Sequence, residues 1–122
     1  MSTRATEAII ALLRDRGETL AVAESLTGGG VGAAITAIAG ASDVFVGGVI
    51  AYQPSTKESL LKVAHSLIET HTVVSEEVAV AMADGVREIL GTTWAIATTG
   101  VAGPGPADGH AAGTVWVAIR GP

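Results

Sequence analysis

At 122 residues, with 48% of them apolar and no cysteine, the chain is long enough to bury one core, and it excludes disulfides, thiolate metal sites and a cysteine nucleophile. Its formal net charge is −5 and its seven Lys and Arg are scattered, which excludes the basic stripe of a nucleic-acid binder. Sixteen glycines against four aromatic side chains suit helices packed closely on a sheet better than an all-β sandwich.

Residues 1–16 carry Glu7 and Asp15 among their apolar positions, so they read as a helix and not as a signal peptide. Ala5, Ala8, Ile9, Leu12 and Leu13 recur at helical spacing, and Gly17 is a suitable stop. Residues 19–23 read as a short buried strand, and Glu24 to Gly30 as a polar, glycine-rich turn into a helix over 31–39. A second strand follows over 44–52, where Gly47-Gly48 marks a bulge or a close helix approach. Pro54 suits the first turn of a helix over 55–61, and residues 64–72 read as a short helix and loop. Ser75 is an N-cap for a helix with Ala79, Met82, Ala83, Val86, Ile89 and Leu90 on one face, ending at Gly91. Strands over 94–98 and 114–119 enclose a Gly- and Pro-rich loop over 99–113. This order predicts a single α/β domain, a three-layer α/β/α sandwich with a mixed, mostly parallel sheet. No segment approaches the roughly 18–20 unbroken apolar residues of a membrane span, and no membrane partner is expected.

Three segments can carry chemistry. Ser25 lies at the end of a buried strand and before a helix, which exposes a hydroxyl at the sheet's carboxyl edge with backbone N–H groups beside it. Ser25 and Thr27 also fit plain helix caps. Lys57, once desolvated, can act as a base, with Tyr52 relaying or orienting the proton; a surface lysine and a half-exposed tyrosine are the alternative. The Thr99 to Gly105 loop lets backbone approach a phosphate or ribose, or simply turns the chain. Ser25, Tyr52 and this loop are expected along one edge of one sheet, bordering one pocket. His65, His71 and His110 lack metal-ligand spacing, so no metal is expected. Asp108 and His110, in the third loop, are either substrate contacts or, the preferred reading, solvated turn residues.

Together, Glu24-Ser25-Leu26-Thr27-Gly28-Gly29, then Tyr52 with Lys57, then Thr99-Gly100-Val101-Ala102-Gly103-Pro104, then Gly113-Thr114-Val115 resemble the signature blocks of the CinA C-terminal family. The resemblance runs from about Leu12 to the chain end. It implies a cytoplasmic, metal-independent amidase without cofactor that converts nicotinamide mononucleotide and water to nicotinate mononucleotide and ammonia in pyridine-nucleotide salvage. On that resemblance Ser25 attacks the carboxamide, Lys57 takes and returns the proton, and Tyr52 bridges the two. Glu24, Thr27, Gly28, Gly29, Thr99, Gly100, Ala102 and Gly103 are expected to hold the substrate.

The chain departs from the family at Gln53-Pro54, where a small polar residue and Asn are usual, and at Gly105 and Ala107, where many members carry Gln or acidic residues. The family continues with a further strand and an arginine-bearing helix, which this chain is expected to lack. Its final strand then leaves an edge free to pair, and a homodimer is expected. Two other functions stay open: a module of this fold that binds a pyridine nucleotide without turning it over, and a serine hydrolase of another small amide or ester.

Overall fold

The computed structural model describes residues 3–122. In chain order its elements are α1 (Thr3–Arg16), β1 (Leu20–Glu24), α2 (Gly30–Thr36), β2 (Phe45–Ile50), α3 (Pro54–Leu61), α4 (His65–His71), α5 (Glu76–Leu90), β3 (Trp94–Gly100) and β4 (Val115–Arg120), with a 3-10 turn at Ala41–Asp43. The strands form one sheet in the order β2-β1-β3-β4. β1 pairs in parallel with both β2 and β3, and β4 runs antiparallel to β3, which is the mixed, mostly parallel α/β sheet expected. Among the described residues no helix is long and apolar enough to cross a membrane.

Alternation along β1 divides the core in two. Ala21 and Ala23 join the cluster under α3 and α5, whereas Leu20 and Val22 join the one that contains Ile10 and Leu13 of α1 and Ile35 of α2. All five β1 residues are buried, as a strand covered on both faces must be. Alanines on the α5 side allow the helix to sit close to the sheet, and Met82, Val78 and Val86 fill the gap from the helix.

α5 starts as its sequence dictates: the Ser75 hydroxyl accepts from Val78 N–H at 3.2 Å, and Gly91, in the left-handed region, ends it. Inside α5, Gly85 faces the backbone of α3, and an added Cβ would overlap the Leu61 carbonyl. Alanine would otherwise favour the helix by about 1 kcal/mol, but the two backbones would have to separate. Gly85→Ala is therefore expected to destabilise the fold, by about 1–3 kcal/mol, read as a lower urea midpoint at unchanged m-value.

The structure refines the sequence expectation at several elements. On α1 the buried line is Thr6, Ile10 and Leu13, while Ile9 and Leu12 are 42% and 56% exposed. The apolar arc of α1 is wider than its contact with the fold, and that contact selects the other side of it. α2 stops at Thr36, short of Ala39, because Gly40 turns the chain into the 3-10 segment. Residues 65–71 form the short helix expected, with the His65 ring held between Glu58 of α3 and Glu69 one turn on, at 3.1 and 2.8 Å. At the glycine pair of β2 the register shifts between Leu20 and Ala21, the bulge expected; a Cβ on Gly47 would lie 3.7 Å from Leu90 Cδ1 of α5, and one on Gly48 would lie 2.7 Å from the Val22 carbonyl oxygen.

Candidate active site

Because β1, β2 and β3 are parallel, their carboxyl ends share one edge of the sheet, where open α/β sheets bind ligands. Ser25 follows β1, Tyr52 follows β2, and Gly100 ends β3. Ser25 N–H still donates to Thr98 O at 3.1 Å, so strand alternation continues through it. Glu24 therefore faces α2, and Ser25 faces the side of α3 and α5.

Lys57 approaches from the first turn of α3, which Pro54 opens. It is 1% exposed, and its Nζ donates to Ser25 Oγ at 2.9 Å, Ala51 O at 2.7 Å and Tyr52 O at 3.3 Å. None of these acceptors is charged. Burial without a counter-ion disfavours the ammonium and pushes the Lys57 pKa down to about 8. A weakened, buried amine thus lies in direct hydrogen-bond contact with a buried serine hydroxyl. The phenol bridge expected of Tyr52 is not formed: Nζ reaches Oγ directly, Tyr52 supplies its main-chain carbonyl, and its side chain is 67% exposed.

A cleft of about 250 Å³ opens onto the pair, walled by Leu26, Tyr52, Val73, Val74, the backbone of 99–102, Ala107 and Asp108. A groove of about 700 Å³ between α4 and α5 is larger, but it holds neither Ser25 nor Lys57 and contains no comparable pair of reactive groups. Beside Ser25, Leu26 lines the cleft, and its N–H makes no hydrogen bond among the described residues and is available as a donor to a developing oxyanion.

Several expected substrate contacts are not brought to the cleft. The Glu24 carboxylate, 2% exposed, accepts from Gly29 and Val31 N–H through Oε1 and from Gly32 N–H through Oε2, at 2.9 to 3.1 Å, so it caps α2 and is spent on backbone. Burial alone would raise its pKa, but the Thr27 hydroxyl and those three amides outweigh burial and hold it below the ordinary carboxylate value. Thr27 Oγ1 pairs with Thr98 Oγ1 at 2.8 Å. Gly28 and Gly29 shape the loop, with φ of 57° and 104°, and do not line the cleft. Gly103 also lies outside the lining, whereas Thr99, Gly100 and Ala102 are part of it. The Thr99 hydroxyl is itself committed to Val73 O at 2.8 Å.

With Glu24 as the cap of α2, Ser25 and Thr27 are not its caps, and the helix-cap reading of Ser25 is removed. Glu24→Gln keeps one acceptor oxygen and sets an NH₂ group against an amide N–H, so an expected loss of about 1–3 kcal/mol should appear in urea titration. Sequence reasoning missed Val73 and Val74 as parts of the cleft and ranked Asp108 as a solvated turn residue first. For Asp108 a signal was present: Asp-Gly is a hairpin dipeptide, and a hairpin holds its tip in a fixed place.

Among the described residues no group of three or more His, Asp or Glu side chains is arranged to hold a metal ion. The CinA C-terminal domain family matches residues 2–122. A CinA-like protein of Synechococcus sp. (strain RCC307) is 55% identical over 93% of this chain, and one of Synechocystis sp. (strain ATCC 27184 / PCC 6803 / Kazusa) is 56% identical over 92%. The chain spans only 28% and 27% of the length of these two relatives. Among solved structures, competence damage-inducible protein A from Klebsiella pneumoniae superposes with a TM-score of 0.93 at 36% identity, covering 98% of this chain and 74% of that one. A CinA superfamily protein from Enterobacter cloacae gives 0.94 at 36% identity, with 98% and 71% covered. With the match running through all four motif blocks and the fold superposing over nearly its whole length, the chain belongs to the CinA C-terminal domain family.

Proposed function

We propose that the chain is a metal-independent amidase that hydrolyses nicotinamide mononucleotide to nicotinate mononucleotide and ammonia. The observation that carries this reading is the Ser25 and Lys57 pair: a buried amine without a counter-ion, with its pKa lowered to about 8, 2.9 Å from a serine oxygen. Neutral Lys57 accepts the Ser25 proton as Oγ attacks the carboxamide carbon, and the free amide of Leu26 receives the charge that develops on the carbonyl oxygen. Lys57 then passes the proton to the departing nitrogen, which leaves as ammonia, and an acyl ester remains on Ser25. Water attacks that ester with Lys57 again as base, releasing the carboxylate and restoring the serine. Tyr52 contributes its carbonyl to Lys57 and its ring to the outer wall of the cleft.

The direct experiment is ammonia release from nicotinamide mononucleotide by the purified chain, with and without EDTA. Equimolar ammonia and nicotinate mononucleotide, at a rate unchanged by chelation, are expected. Binding of the nucleotide without release would favour a non-catalytic binding module, and loss of activity on chelation would reject the metal-independent mechanism.

A further inference from the structure

Residues 107–110 form a tight hairpin at the rim of the cleft. Ala107 and His110 exchange N–H···O bonds at 3.0 and 2.9 Å. Asp108 and Gly109 have φ of 51° and 79°, the pair of left-handed residues that a type I′ turn requires and that Asp-Gly supplies. The hairpin is also tied down from outside: His110 Nε2 and the Thr72 hydroxyl are 3.0 Å apart. Thr72 leads directly into Val73 and Val74 of the cleft wall, and Thr99 Oγ1 fastens Val73 to β3. Asp108 is thereby carried on a braced arm, not on a loose loop.

The charges in the lining make that position informative. Among the described residues, Lys57 and Asp108 are the only Lys, Arg, Asp or Glu that line the cleft. Lys57 is buried behind Ser25 and sheds its charge above about pH 8, whereas Asp108 is exposed at the rim, so the charge an incoming molecule meets first is the Asp108 carboxylate. Asp108 makes no hydrogen bond or ion pair among the described residues that would neutralise it. At the rim that carboxylate attracts a cationic group and turns an anionic one outward.

We infer that Asp108 is a specificity-determining residue that selects amides borne on a cationic ring, its carboxylate facing the positive ring while Ser25 engages the carboxamide. The inference rests on the amidase reading and adds to it the means by which a pyridinium amide is preferred over a neutral one of the same shape. It also orients the substrate: the phosphate projects away from Asp108 and out of the cleft.

The test uses two ligands, nicotinamide mononucleotide and benzamide riboside 5′-phosphate, which keeps the carboxamide, ribose and phosphate but replaces the cationic ring nitrogen with carbon. Binding is measured by calorimetry in the Ser25→Ala background, so that turnover does not intervene. The nucleotide is expected to bind about 10-fold more tightly than its neutral isostere, in the range of one partly exposed charge pair. Adding Asp108→Asn should abolish that preference by weakening the nucleotide alone. Asn tolerates the left-handed conformation of this position, so the fold should survive, and an unchanged melting temperature verifies it. With Ser25 intact, Asp108→Asn should raise KM for the nucleotide more than it lowers kcat. Equal weakening of both ligands, or a preference that persists in the Asn variant, would overturn the inference. Should wild type release no ammonia while the preference still follows Asp108, the amidase reading fails and charge selection stands; turnover without any effect of Asp108→Asn on the preference fails the inference alone.

Discussion

Replacing Ser25 with alanine is expected to lower ammonia release by at least ~10²-fold while nucleotide binding changes little, because the lost oxygen acts in the transition state and not in ground-state recognition. The fold should tolerate the change. Ser25 Oγ takes no part in capping α2, a task performed by Glu24, so among the described residues the one hydrogen bond lost is that from Lys57, worth about 1 kcal/mol. Rate and melting temperature measured on one preparation separate the two roles. A destabilised but fully active variant would reject Ser25 as nucleophile.

Lys57→Met is expected to reduce turnover by about 10²- to 10⁴-fold, the usual contribution of a positioned base. It also has a thermodynamic signature. At pH values below 8 Lys57 is protonated in both the folded and unfolded chain, and the folded state bears the cost of a buried ammonium. Between about 8 and the ordinary lysine value of 10.5 the folded state has released its proton and the unfolded state has not, so stability rises with pH across this window. The full difference corresponds to about 3 kcal/mol. Methionine carries no such titration. The stability of wild type relative to Lys57→Met should therefore increase between pH 7 and 10, and a difference independent of pH would mean that Lys57 is not desolvated.

Much of this architecture is written locally in the chain. The Ser75 cap, the helical period through Met82 and Val86 and the Gly91 stop define α5 without tertiary information, and the glycine-rich turn after a short buried strand marks Ser25 as a residue at the sheet's carboxyl edge. What stayed hidden depends on which way side chains face. A carboxylate beside a glycine loop looks the same in sequence whether it meets a ligand or backbone amides, and the parity of β1, which separates Glu24 from Ser25, is settled only by the register with β2 and β3. Tyr52 is close to Lys57, but through its carbonyl, a contact to which the tyrosine side chain contributes nothing. On α1 the apolar residues outnumber the positions that the fold covers, so periodicity marks the helix but not which of Ile9, Leu12 and Leu13 is buried. The brace on the 107–110 hairpin joins His110 to Thr72, far apart in the chain, and no local pattern announces it.

The central claim is that neutral Lys57 takes the proton of Ser25. The pH dependence of kcat/KM for ammonia release from nicotinamide mononucleotide, measured from pH 6 to 10 on the wild-type chain, tests it most directly, since this ratio reports the ionisation of the free enzyme. It should rise with pH and level off with a midpoint of about 8, the value at which buried Lys57 loses its charge. A profile that is flat or falling between pH 7 and 9 would contradict the claim, because the group accepting the serine proton would then not be this lysine.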